Sequence, residues 1–151
     1  MIQRIQSVYL FAVTVLSVLA MCFPIGRFIG ADGLTQVFKP LGVSLANGSM
    51  TSTWGLFCIL LLAAVVAFCT IFLFRNRMLQ VRMTIFSSIL LVGYYVACVV
   101  FIFVLKRNLA DASFQIGWAL CLPAISIVLN YLAFRAIYRD EVMVRAADRL
   151  R

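Results

Sequence analysis

Two long charge-free runs, separated by a short basic segment, constrain this chain more than any other feature. Residues 54–74 and 83–105 contain 21 and 23 residues without a charged side chain. At a rise of ~1.5 Å per residue, each run forms a helix of roughly 30 Å, which is the thickness of the hydrocarbon layer of a bilayer. The pattern predicts a helical hairpin that crosses a membrane twice.

The segment between the two runs predicts their orientation. Residues 75–82 read Arg-Asn-Arg-Met-Leu-Gln-Val-Arg and hold three arginines. Short connections rich in arginine and lysine stay on the cytoplasmic side of a membrane. We therefore expect a basic turn on the inner side, with the two helices running outward from it.

Two further charge-free segments complete the predicted fold. Residues 7–24 and 117–134 are uncharged and long enough to span a bilayer. The first could also be a cleaved signal sequence, but Met21 before Cys22 is not the small residue that lipoprotein cleavage requires, so we predict a retained helix. The expected fold is an all-α integral membrane protein, a single four-helix transmembrane bundle covering residues 1–151.

Composition and charge support this interpretation. The chain is 65% hydrophobic and 12% charged, and its mean hydropathy of +1.09 lies outside the range of soluble domains. Its net charge of +8 divides into nine basic residues on the predicted inner side and four on the outer side. Topology and the lipid bilayer account for this charge, so both termini are predicted inside and nucleic acid is not an expected partner.

The predicted outer loops are residues 25–53 and 106–116, and the first of them carries strand signals. Leu41, Val43 and Leu45 alternate with small residues, and Asn47-Gly48 is a favoured two-residue hairpin turn. We expect a small β hairpin in this loop. Cys22, Cys58 and Cys121 lie near the outer ends of their helices, and the sequence leaves open whether two of them form a disulfide.

The sequence contains no pattern that carries catalytic or metal chemistry. There is no histidine, no cysteine pair at metal-binding spacing, and all five acidic residues fall outside the predicted spans. We therefore predict no catalytic residue, no cofactor and no metal, and a protein that is not an enzyme. The neutral polar positions Tyr94, Tyr95, Ser126 and Asn130 lie within spans and either hold helices together or line a pathway.

Three pieces of the chain carry a family resemblance: residues 1–6, 71–82 and 140–151. They read MIQRIQ, IFLFRNRMLQVR and DEVMVRAADRLR. Together they resemble a family of small four-helix inner-membrane proteins of Bacteroidetes, catalogued as a domain of unknown function (family 4293). The resemblance implies four spans and a bacterial inner membrane. It implies no activity, and it supplies no site residues.

All three pieces fall on the predicted cytoplasmic side, and they define a candidate interaction face. Its members are the charged residues Arg4, Arg75, Arg77, Arg82, Asp140, Glu141, Arg145, Asp148 and Arg149. The tail, residues 135–151, is predicted to continue the last helix, with Glu141 and Arg145 spaced for an i,i+4 ion pair. Tyr138, Val142, Ala146 and Leu150 would form a narrow apolar stripe along the tail.

Several functions fit these features. The first is a non-enzymatic scaffold or accessory subunit whose charged face meets a membrane protein, a cytoplasmic protein or anionic lipid. A purely structural alternative is that the arginines fix topology and the acids pair with them. A small transporter or channel, alone or as a homo-oligomer, would use the four neutral polar positions as its pathway. Adhesion or sensing through residues 25–53 has weaker support: the layout is similar to claudin-type proteins, but their tryptophan and paired-cysteine signature is missing.

Overall fold

The computed structural model describes residues 2–30, 33–44, 50–108 and 113–149 of the chain. Side chains are described for the same residues except 2–4, 74, 108, 148 and 149. Its long elements are four helices, each long and apolar enough to cross a membrane. They are α1 (Ile2–Cys22), α2 (Trp54–Phe72), α3 (Arg77–Asn108) and α4 (Cys121–Arg149). The predicted helical composition is therefore confirmed.

The helices pack as an antiparallel ring in chain order. Helix α1 packs against α2 and α4, and α3 packs against the same two helices. We call the end where α2 meets α3 the turn end, and the opposite end the sheet end. Ala63 and Ala67 of α2 are fully buried, so their small side chains are part of the packing inside the ring.

The predicted basic turn at residues 75–82 is wrong in extent. A 3₁₀ turn at Leu73–Arg75 and the single residue Asn76 make the whole connection, and α3 already begins at Arg77. The first hydrogen bond at the start of α3 runs from the Gln80 N–H to the Asn76 carbonyl at 3.0 Å. Residues 77–82 contain no glycine or proline, and arginine, methionine, leucine and glutamine all favour a helix, so nothing in them stops α3 from starting early.

The other helix limits also shift from the predicted ones. Helix α1 begins at Ile2 and ends at Cys22, two residues before Pro24. Helix α3 continues to Asn108, and α4 begins only at Cys121, after a 3₁₀ turn at Trp118–Leu120. The tail is helical to Arg149, as predicted.

The sheet end carries a five-stranded antiparallel sheet where only a hairpin was predicted. Its strands are β1 (Gly26–Ile29), β2 (Thr35–Lys39), β3 (Gly42–Ser44), β4 (Met50–Ser52) and β5 (Ser113–Ile116), in the order β4-β3-β2-β1-β5. The predicted hairpin corresponds to β3 and β4, in which Val43 pairs with Thr51. Its predicted turn, Asn47-Gly48, lies outside the described residues. The strand in the second loop, β5, was not predicted.

One face of the sheet closes the bundle with an aromatic cluster. In β1, Phe28 stands opposite Phe114 of β5, and their ring centroids are 4.8 Å apart. The Phe38 ring of β2 lies 5.9 Å from the Phe28 ring, and both phenylalanines are fully buried. Since such ring pairs contribute about 0.5–1.5 kcal/mol each beyond their burial, the cluster is a main support of the sheet.

The interior of the bundle changes character from one end to the other. Toward the sheet end it is mainly apolar, with Leu56, Leu60 and Leu91 fully buried. Toward the turn end it holds buried amides and hydroxyls: Gln6, Thr70, Gln80, Thr84, Ser87 and Asn130. Several hydroxyls donate to carbonyls of their own helix, such as Thr84 to Gln80 at 2.9 Å and Thr70 to Val66 at 2.6 Å. Among the described residues the polar half of the core is therefore uncharged, and only Gln6 Nε2 and Asn130 Oδ1 in this group are buried there without a hydrogen-bond partner.

The tight contact between Gly117 and the chain after α1 generates a stability prediction. The Gly117 N–H donates to the Ile25 carbonyl at 2.8 Å, and a Cβ at Gly117 would lie 2.7 Å from that same oxygen. Gly117→Ala should therefore force the two backbone segments apart and cost about 1–3 kcal/mol, as overpacking does. We expect a lower thermal unfolding midpoint in detergent.

Gly93→Ala is the matched control, because a Cβ at Gly93 meets nothing within 4 Å. Gly93 lies inside α3, where replacing glycine by alanine should stabilise the helix by up to about 1 kcal/mol. Equal midpoints for the two variants would contradict the described contact.

Candidate functional site

The connection between α2 and α3 forms a basic groove at the turn end. The 3₁₀ turn at Leu73–Arg75 leads the chain into α3. The first turns of α3 then lie beside the part of α4 around Glu141. The resulting space of about 560 Å³ is open to the surroundings. We call it the turn-end groove, and its lining residues are Arg75, Asn76, Arg77, Met78, Leu79, Arg82 and Glu141.

Two ion pairs organise the charges around this groove. An Arg77 guanidinium nitrogen lies 3.4 Å from a carboxylate oxygen of Asp140, which joins α3 to α4. Both side chains are partly shielded, so this pair is screened less than a surface pair. The second pair, Arg145 Nε to Glu141 Oε1 at 3.0 Å, confirms the predicted i,i+4 contact within the tail.

Arg75 and Arg82 are the groove's uncompensated charges. Both are exposed, and in the described part of the chain neither forms an ion pair. The carboxylates at this end of α4, Asp140 and Glu141, are already engaged by Arg77 and Arg145. The groove therefore presents two free guanidinium groups, which can bind carboxylate or phosphate oxygens in a bidentate manner.

The tail of α4 extends beyond the bundle next to this groove. Tyr138, Val142 and Ala146 lie four residues apart on the helix, and all three are exposed. Val142 keeps 48% of its surface accessible, so the apolar stripe is not packed against the bundle. The stripe's fourth predicted member, Leu150, lies outside the described residues.

The structure gathers part of the predicted interaction face. It brings Arg75, Arg77, Arg82 and Glu141 into one groove and places Asp140 and Arg145 beside it through their ion pairs. Arg4 belongs to the first turns of α1, and Asp148 and Arg149 belong to the last turn of α4. The side chains of these last three residues lie outside the described part of the chain.

The four neutral polar positions are used in contacts between or within helices. Tyr94 is 1% exposed, and the Tyr95 hydroxyl donates to the Leu120 carbonyl. Ser126 donates to the Leu122 carbonyl at 3.1 Å, and the Asn130 amide donates to the Ser87 hydroxyl at 3.2 Å. The turn-end groove and an apolar groove between α3 and α4 are both lined by other side chains.

A second basic groove, between α1 and α4, was missed by the sequence analysis. It encloses about 390 Å³ near the turn end. We call it the α1–α4 groove, and it is lined by Ile5, Tyr9, Leu132, Arg135, Ala136, Arg139, Asp140 and Met143. A signal for it exists in the sequence, since Arg135 and Arg139 follow directly on the last charge-free run at i,i+4 spacing.

The cysteines and acids do not assemble into a centre for metal chemistry in the described part of the chain. No three side chains of the metal-binding types come together among those residues. Cys22, Cys58 and Cys121, between which a disulfide was left open, are free thiols in the structure.

Comparison with known proteins places the chain in a family. No curated protein matches it. Residues 2–150, almost its whole length, match the family described as Domain of unknown function (DUF4293). The match covers all four helices and the sheet, and it takes in nearly all of the three sequence pieces that carry the resemblance. The chain belongs to the DUF4293 family.

Proposed function

We propose that the four helices cross a bacterial inner membrane, with the turn end and both termini in the cytoplasm. The lengths and hydropathies of the helices support insertion. The orientation is supported by nine basic residues that belong to the turn end or the termini, against four at the sheet end. The bacterial inner membrane is the location that the resemblance to proteins of Bacteroidetes implies.

We further propose that the protein is a non-enzymatic scaffold or accessory subunit that docks a partner protein at its turn end. The observation that carries this proposal is the pair of free guanidinium groups, Arg75 and Arg82, beside an exposed apolar stripe on α4. An acidic partner segment with an apolar patch would complement both features. Buried arginine contacts and apolar anchors are the usual high-energy parts of protein interfaces.

The arrangement of polar groups favours binding over catalysis. At the turn end, the carboxylates of Asp140 and Glu141 each form an ion pair with an arginine. Inside the described part of the bundle, the buried polar side chains are amides and hydroxyls, with no base beside them to activate a hydroxyl.

A second candidate function is a small transporter or channel with an uncharged pathway. The observation in its favour is the cluster of buried polar side chains near the turn end, in which the Asn130 Oδ1 accepts no hydrogen bond from a described residue. A solute on this route would still have to pass Leu60, Leu91 and Tyr94, which fill the core toward the sheet end. This candidate therefore needs a second conformation.

Cysteine labelling tests the proposed orientation. In a chain whose five native cysteines are replaced by alanine, Thr51→Cys on β4 should react with a membrane-impermeant maleimide in intact cells, and Arg75→Cys only after permeabilisation. Both positions are exposed in the structure, so a difference between them reports the side of the membrane. Labelling of R75C in intact cells would contradict the orientation.

Site-specific photocrosslinking tests the docking proposal. A photoreactive residue at Met78 in the turn-end groove and one at Val142 on the tail should capture the same partner in cells. R75Q/R82Q should abolish both crosslinks, because it removes the free charges without touching either ion pair. The control position is Val96, exposed on α3 well away from the turn end, where we expect no such crosslink.

Two outcomes would overturn the docking proposal. One is an equal yield from Val96, which would indicate nonspecific capture along the helices. The other is crosslinks that join only copies of this chain, whether or not R75Q/R82Q is present.

Thiol accessibility separates the two candidate functions. Ser126 is fully buried, so S126C in the same cysteine-free chain should resist a small water-soluble thiol reagent under conditions that fully modify M78C. Modification of S126C from the turn end would establish a water-filled path in the bundle and favour the transporter.

A further inference from the structure

We propose that the α1–α4 groove binds the headgroup of an anionic phospholipid. Arg135 and Arg139 would hold its phosphate, and Leu132, on the side of the charge-free span, would contact the first part of its acyl chains. This site is distinct from the turn-end groove, and it requires the membrane insertion proposed above but not the docking of a partner protein.

The groove lies at the level where a phospholipid phosphate would sit. Residues 117–134 carry no charge, and Arg135 is the first charged residue after them. Arg139 lies four positions after Arg135 on the helix, a rise of roughly 6 Å. The two guanidinium groups therefore occupy the boundary between the apolar span and the polar tail, where headgroups meet acyl chains.

The α1–α4 groove carries positive charge that is free to bind an anion. Arg135 and Arg139 are exposed, and among the described residues neither forms an ion pair. The one carboxylate in the groove, Asp140, is engaged by Arg77 from the other side of α4. Tyr9 adds a phenolic hydroxyl from α1, which can donate to a phosphate oxygen.

The apolar lining distinguishes a lipid from a free anion. Leu132 lies about one helical turn before Arg135, on the side of the charge-free span, and it is exposed. Ile5 and Met143 lie on the side of the tail and keep 52% and 53% of their surfaces exposed. Inorganic phosphate would leave these side chains uncovered. A phospholipid whose phosphate reaches the two arginines would cover Leu132 with its glycerol and acyl carbons, so it matches both the basic part of the lining and the apolar part next to the span.

Native mass spectrometry of the purified full-length protein in detergent tests this proposal. The probes are phosphatidylglycerol and phosphatidylethanolamine with identical acyl chains. We expect the wild type to bind phosphatidylglycerol more tightly, and R135Q/R139Q to lower that affinity by roughly tenfold or more while leaving phosphatidylethanolamine unchanged. Glutamine favours helices about as well as arginine, so α4 should remain intact.

The matched control is R75Q/R82Q, which removes the same charge from the turn-end groove. It should leave the preference for phosphatidylglycerol in place, whereas R135K/R139K should keep part of it because the charge remains. Equal losses in the two glutamine variants would assign the preference to net charge and overturn the site. A wild type without a preference would overturn it too.

Competition with inorganic phosphate separates a lipid from a free anion. Millimolar phosphate should not displace phosphatidylglycerol, and displacement would overturn the lipid assignment. Failure of the partner crosslinks at Met78 and Val142 would leave this result unaffected, so the two proposals fail independently.

Discussion

The sheet end depends on strand β1, which pairs along both of its edges. On one edge it pairs with β2 and on the other with β5, where Gly26 stands opposite Ile116. Because β1 follows α1 closely and β5 runs directly into the turn before α4, this pairing holds the ends of α1 and α4 together. The chain enters α2 from β4 through Thr53, whose hydroxyl donates to the Pro40 carbonyl at 3.1 Å. A sheet of short strands thereby fixes the spacing of long helices.

The sequence predicts the helices well and the sheet only in part, for a physical reason. About 20 consecutive apolar residues are enough to identify a helix that can span a bilayer, whatever it packs against. The β3–β4 pairing is local, so an alternating pattern and a turn signal reveal it. The pairing of β1 with β5 joins Gly26 to Ile116, 90 positions further along the chain. Neither strand contains information about the other, and such a contact follows only from how the helices pack.

The same limit applies to the candidate sites. A charge-free run in the sequence identifies the middle of a membrane-spanning helix but does not show where the helix begins or ends. Arginine and glutamine favour helices about as well as leucine does, so a helix can continue through them. For that reason Gln80 falls within the predicted turn, although it is a buried side chain of α3. The basic character of the turn end is visible in the sequence. The ion pair between Arg77 and Asp140 is not, since it depends on the packing of α3 against α4.

The arginines near the turn end fall into groups that a count of basic residues does not describe. The positive-inside rule depends on how many basic residues lie on each side of the membrane, and not on whether those residues form ion pairs. In the structure, the carboxylates of Asp140 and Glu141 pair with Arg77 and Arg145. Among the described side chains near the turn end, this leaves four arginines without an ion pair: Arg75, Arg82, Arg135 and Arg139. They are not scattered, since one pair lines the turn-end groove and the other lines the α1–α4 groove. In the proposed orientation the first pair faces the cytoplasm and the second faces the headgroups. Two surfaces with different surroundings are thus charged separately, and this grouping comes from the packing of the helices and not from the number of basic residues.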